Sequence, residues 1–266
     1  MSGRFLSGAL LGAALMLAAP AMAQTLTLAD RTHTTTLTRE ALLARPDVRE
    51  ITLDRDPVYG RAMTYRALPA TALLKDLTVG ADDYMQAKAT DDFSVSIPAH
   101  LLGEAYIAIE PAATPWPKMP GVDKGTAGPF YLIWRAANPA AISSEYWSYH
   151  LAALTVTDSP TKRWPQLGVA AGAPDQVRHG LERFVSVCLA CHRFDGAGEG
   201  TMGPDLGRPM NPAAWFQPAA LKKFIRNPKS VRDWPDAKMP ALSPESLTDS
   251  DIDAIVAWLE YKLLKH

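Results

Sequence analysis

Cys188-Leu189-Ala190-Cys191-His192 holds both cysteines of the 266-residue chain. Two thiols three positions apart share one short helical turn, and an imidazole follows at once. A pair of this kind serves as a disulfide in many exported proteins. It also serves as a thioredoxin-like dithiol, but that motif sits near the start of a βαβ unit. Here the pair ends a helical pattern and opens a glycine-rich loop. C-x-x-C-H reads as a c-type haem attachment site: the thiols reach the two vinyl groups and the imidazole lies against the iron. One covalent haem c is therefore expected, on Cys188 and Cys191 with His192 as an axial ligand.

The residues around the motif read as helices joined by Gly/Pro loops. Upstream, Asp175 to Cys191 carries Val177, Leu181, Phe184, Val185 and Cys188 at helical spacing. Downstream, Pro218 to Arg226 reads as a second helix and Thr248 to Leu264 as a third. Thr248 is an N-cap candidate with Asp251 at the reciprocal position. Ile252, Ile255, Val256, Leu259 and Leu263 form one stripe that packs the terminal helix on the first.

An iron held by His192 needs a sixth ligand, and Met239, within Ala237-Lys238-Met239-Pro240, is the best placed. A thioether there raises the reduction potential, which suits an electron carrier. Met202 and Met210 are rivals: the first lies so close to His192 that the chain must turn back sharply, the second in a Pro-bracketed loop. Arg226, Lys229, Arg232 and Trp234 are candidates to meet a haem propionate, and a solvated charge run explains them equally.

The order C-x-x-C-H, then Gly203-Pro204-Asp205-Leu206, then Met239-Pro240 before an aromatic-bearing terminal helix resembles class I cytochromes c over residues 175 to 264. The resemblance implies an all-α cytochrome c fold. It also implies that the Pro204 carbonyl accepts from the ring N–H of His192, a contact that orients the ligand and tunes the metal. Leu206 and Trp258 would contact the haem or its surroundings, though an aromatic on a terminal helix is as often plain core.

Residues 24–160 differ in texture: rich in Thr, Val, Ile, Tyr and Pro, with short runs bounded by turn residues. Thr25 to Leu28 alternates like an edge strand, Thr38 to Ala44 reads as a capped short helix, and Val48 to Leu53 as a strand. Leu68 to Leu77 reads as a helix with Leu68, Ala72, Leu73 and Leu77 on one face. Asp92 to Ile97, Ala105 to Ile109, Phe130 to Trp134 and Leu151 to Thr157 read as strands. This is an α+β domain, joined to the cytochrome region (175–266) by a Gly/Ala/Pro connector over 161–174.

Several pieces of this domain are similar in order to the molybdopterin-binding domain of the sulfite oxidase family. They are Met63 to Leu74, Asp91 to Leu102, Ala105 to Glu110, Gly128 to Trp134, and Tyr146-Trp147 before Leu154 to Val156. That family ligates molybdenum with a cysteine thiolate, and both cysteines here belong to the haem motif. The domain is therefore expected to be a cofactor-free relative with no molybdenum cofactor, reused for docking or binding. His33, His100 and His150 are dispersed and read as structural or surface residues. Trp116, Tyr131, Trp134, Tyr146, Trp147 and Tyr149 are candidates for a contact surface, or for core.

Composition is ordinary for a globular chain: 47% apolar, with 27 basic residues against 28 acidic. No basic surface argues for nucleic acid. Residues 1–23 read as a secretory signal peptide, with Arg4, an apolar run from Phe5 to Ala19, and Ala21-Met22-Ala23 as the cleavage pattern. A periplasmic location follows, with no integral span after cleavage. Two functions fit. In the first, the chain is a periplasmic cytochrome passing single electrons to or from a redox protein, with no catalysis of its own. In the second, it is an oxidoreductase whose N-terminal domain binds a substrate or metal and feeds the haem.

Overall fold

A computed structural model describes residues 24–121, 125–235 and 237–264; the expected signal peptide lies outside them. Two sheets build the N-terminal region. The first has five strands in the order β2-β1-β9-β5-β6: β1 (Thr25–Ala29), β2 (Thr34–Thr38), β5 (Tyr84–Ala89), β6 (Ser94–Pro98) and β9 (Leu151–Thr157). The second is antiparallel, β3-β4-β7-β8: β3 (Arg49–Leu53), β4 (Met63–Pro69), β7 (Ala105–Ile109) and β8 (Phe130–Trp134). Two short helices, α1 (Arg39–Leu43) and α2 (Ala70–Leu74), connect strands.

Alternation explains how these strands pack. In β4, Met63, Tyr65 and Ala67 are buried while Thr64 and Arg66 are exposed, so one face meets core and the other solvent. All five residues of β8 are buried. Phe130, Leu132 and Trp134 face the core shared with β1, β5, β6 and β9, and Tyr131 and Ile133 face a second cluster around Tyr65, Trp116 and Met119.

Three expectations change here. Strand β1 is internal, with Leu26 and Leu28 buried between β2 and β9; β2 is the edge. The helix expected from Leu68 begins at Ala70, because Leu68 and Pro69 still pair in β4, opposite Ile107 and Tyr106. The candidate contact aromatics are largely core. Trp116, Tyr131, Trp134 and Tyr146 are buried, the Trp134 indole donating to the Tyr146 carbonyl, and Trp147 and Tyr149 are half-buried.

The C-terminal region is helical. The short helix α3 (Pro160–Arg163) starts a connector that is packed rather than loose: Leu167 is buried in the helical core, the Trp258 indole donates to its carbonyl, and Lys262 Nζ donates to the Gly168 carbonyl at 3.0 Å. Helix α4 (Asp175–Arg183) runs on into a π-helical turn over Phe184–Cys188, so the α-helix ends before the cysteines. Helix α5 (Pro218–Arg226) begins with proline, whose missing N–H costs nothing in a first turn. Helix α6 (Asp249–Leu263) opens with a capping box between Thr248 and Asp251.

Helices α4 and α6 cross at Gly180, where a Cβ would stand 2.0 Å from the Ala254 carbonyl oxygen. The absent side chain lets Trp258 reach Phe184 and Phe194, with ring centroids 4.4 Å and 4.7 Å away. Ile252, Ile255, Val256 and Leu259 are buried as the stripe requires, but Leu263 is more than a third exposed as the helix leaves the core. Among the described residues no helix is long and apolar enough to cross a membrane.

Candidate haem site

The attachment turn follows the π-helical segment, with the amides of Cys191 and His192 both donating to the Cys188 carbonyl. No disulfide joins the two cysteines. Burial, reinforced by the nearby Glu145 carboxylate, pushes the Cys188 thiol up to about 12 and the Cys191 thiol up to about 11. A dithiol redox pair works through a thiolate of lowered pKa, so this environment opposes the thioredoxin-like use of the motif.

His192 is oriented before any ligand arrives. Its Nδ1 lies 2.8 Å from the Pro204 carbonyl oxygen, an acceptor, so Nδ1 carries the proton and donates. Burial lowers the imidazole pKa against the opposing pull of that bond, which favours the neutral ring. The Nε2 lone pair is then free for a metal, and Nε2 has no hydrogen-bond partner among the described residues. The loop between motif and Pro204 is pressed against the turn. The Gly203 amide donates to the Cys191 carbonyl at 2.9 Å, and a Cβ on Gly203 would sit 2.3 Å from His192 Cε1. A Cβ on Gly200 would stand 2.5 Å from the Cys191 carbonyl carbon. Paired thiols, an imidazole with one nitrogen committed and the other open, and a glycine cradle over the ring fit a c-type haem.

Asp205 fixes the far end of this loop. Its carboxylate accepts from the amides of Asp195, Gly196, Gly207 and Arg208, at 2.8, 2.7, 2.7 and 3.1 Å. Burial works against the charge, but the four donors outweigh it and hold the carboxyl below its usual value. Leu206 is half-buried against the helical core, while Trp258 is wholly buried among Phe184 and Phe194.

The three methionines are placed differently. Met239 is half-buried, whereas Met202 is 47% and Met210 is 53% exposed. Met210 lines a surface groove with Phe194, Asn211, Lys262 and Leu263. The Met239 loop is anchored through Arg226, whose guanidinium donates to the Leu242 carbonyl at 2.7 Å and to Asp249 at 2.6 Å. Arg226 is thus committed to the protein. Lys229 is exposed, and Arg232 lies 5.5 Å over the exposed Trp234 ring.

Sequence reasoning missed Asp205, Gly180 and the anchoring role of Arg226. An aspartate two residues before a glycine in a loop is a readable turn signal, but the partners of Gly180 lie on a distant helix and those of Arg226 on a distant loop and that helix's first residue. The histidines of the N-terminal region stay apart from the site: His33 and His100 are exposed, and His150 Nε2 pairs with the Thr126 carbonyl at 2.7 Å. Among the described residues no group of three or more His, Cys, Asp or Glu is arranged to hold a metal ion.

Residues 175–259 match the family model described as cytochrome C oxidase, cbb3-type, subunit III. The helical region therefore contains a cytochrome c domain, a domain type that implies haem-based electron transfer and a redox partner. A search of curated proteins finds no match to the chain.

Proposed function

We propose that the chain is an exported, periplasmic c-type cytochrome that passes single electrons between redox proteins. One covalent haem c would be held by Cys188 and Cys191 through thioethers and by His192 and Met239 at its iron. The observation that carries this reading is the His192 imidazole, with Nδ1–H given to the Pro204 carbonyl and the Nε2 lone pair left open. A haem bound there supplies reversible one-electron chemistry at its iron. The chain's own residues orient the ligand: Pro204 sets the ring and its basicity, Gly203 lets the loop close on the imidazole face, and Asp205 holds that loop in shape. Met239, half-buried on a loop tied down by Arg226, offers a thioether that favours the reduced state.

Export rests on the sequence of residues 1–23. The sheet-rich domain is read as a docking or binding module. Its likeness to the molybdopterin domain of the sulfite oxidase family rests on short sequence segments, which lie chiefly on β4, β6, β7, β8 and β9. With both cysteines committed to the haem motif, no thiolate is left for molybdenum.

Purified, exported protein should carry one haem per chain by alkaline pyridine spectroscopy, and one iron per chain. Stoichiometric molybdenum or copper would favour the oxidoreductase reading instead. Met239→Ala should lower the reduction potential and abolish the thioether-to-iron band of the oxidised protein. An unchanged potential and spectrum would pass the sixth position to Met202 or Met210.

A further inference from the structure

The haem-attachment turn lies against the N-terminal domain. Ala190, between the two cysteines, is 1% exposed and belongs to the core cluster of the N-terminal sheets, and Cys191 packs on the same cluster. Beside it, Ser143 Oγ donates to the Ser186 carbonyl at 2.8 Å, both residues buried. On the outer face of β5 and β6, Gln86, Ser94 and Ser96 are buried although all three are polar.

Their burial is explained by a closed ring of hydrogen bonds. Gln86 Nε2 donates to Ser94 Oγ at 2.7 Å, and Ser94 Oγ donates to Glu199 Oε2 at 2.9 Å. Arg163 bridges the other side, donating to Glu199 Oε1 and, at 2.9 Å, to Gln86 Oε1, which also accepts from Ser96. The guanidinium is stacked 4.1 Å over the Trp164 ring. Glu199 precedes Gly200, the residue pressed onto the Cys191 backbone. Three parts of the chain (sheet, connector and haem loop) therefore meet in one closed, partly buried network, an arrangement that holds them in a single geometry.

We infer that the Gln86–Ser94–Glu199–Arg163 ring is a clasp that holds the N-terminal domain as a fixed cover over the cysteine edge of the haem site. Arg163 and Glu199 are then positioning residues: they set access to that edge rather than touching the reacting atoms. This rests on the electron-transfer reading above. It also gives the N-terminal domain a defined task, which is to keep soluble redox reagents from the cysteine edge.

The test uses haem-loaded, full-length protein. Oxidation of the reduced haem is timed with an anionic reagent, ferricyanide, and with a cationic one, tris(phenanthroline)cobalt(III). Opening of a cover raises both rates, whereas a mere change of local charge moves the two in opposite directions. Glu199→Gln and Arg163→Met should each speed both reagents by about tenfold, the size expected when one charge-assisted bond is removed from a closed state. The double variant should add little beyond either single one. Opposite movements of the two rates, or no movement, overturn the clasp. If the charge variants fail to mature, Ser94→Ala decides: it keeps the ion pair, should raise both rates severalfold, and overturns the clasp if it leaves them unchanged. A wild-type protein that carries no reducible haem would instead defeat the electron-transfer reading itself.

Discussion

Replacing Gly180 by alanine adds one methyl group where α4 crosses α6. That Cβ would lie 2.0 Å from the Ala254 carbonyl oxygen, 2.6 Å from its carbon and 2.9 Å from Trp258 Cβ. Carbon contacts are comfortable only from about 3.5 Å, and two of these three atoms are backbone, which cannot rotate away. The helices must part by roughly an ångström or the Trp258 indole must leave its place between Phe184 and Phe194. Overpacking of this kind costs about 1–3 kcal/mol, and the tightness of the contact argues for the upper end. Alanine is the better helix former by about 1 kcal/mol, so the net loss should be about 2 kcal/mol. Guanidinium titration of the haem-loaded chain, followed by circular dichroism in the helical band, should show a lower midpoint for Gly180→Ala. Gly180→Val should be worse. A Gly180→Ala midpoint equal to or above wild type would mean that only helix propensity is felt, and would refute the close crossing.

Gly203→Ala puts a methyl group into the His192 ring, 2.3 Å from Cε1. The fraction of chain that carries haem should fall sharply, and what remains should show an altered reduced spectrum. Unchanged loading and spectrum would remove the cradle from the argument. Asp205→Ala strips the acceptor from four backbone amides of a partly exposed loop and should cost about 1–2 kcal/mol, measured as a shifted denaturation midpoint. Because the folded-state carboxyl titrates below its unfolded value, its contribution is present above the unfolded pKa and fades as pH falls through the folded one. The midpoint gap between wild type and Asp205→Ala should therefore close in acid, and a gap that widened there would contradict the assignment.

Much of the C-terminal region was legible because its signals are local. A capping pair at Thr248 and Asp251, an apolar stripe from Ile252 to Leu259, and a proline opening α5 each report on their own neighbours. The strands Ala105–Ile109, Phe130–Trp134 and Leu151–Thr157 were equally plain as apolar or β-branched runs. Strand β5 gave no such signal: Tyr84–Ala89 buries Gln86 on its outer face, leaves Lys88 exposed there, and mixes both with apolar residues. The alternation of β4 was present but hidden by Leu68, which fits the spacing of the following helix as well as the strand. Nothing local marks Gln86, Ser94 and Ser96 as buried, because the Glu199 carboxylate that Ser94 meets and the Arg163 guanidinium that Gln86 meets are far away in the chain. For the same reason the connector looked like a tether: nothing in 161–174 announces that Leu167 and Gly168 are held by Trp258 and Lys262.

The pairing of β1 with β9 has a bearing on how the protein is made. These strands run parallel, with Thr27, Leu28 and Ala29 opposite Ala153, Leu154 and Thr155. The earliest strand of the sheet therefore has to wait for the latest, and the sheet cannot close until the chain is available through β9. A chain of this design leaves costly long-range loop closure to the end. Only when β9 is in place does the platform exist on which the next stretch, bearing the cysteines, comes to rest. The order along the chain thus places the strand that completes the sheet just ahead of the segment that receives the haem.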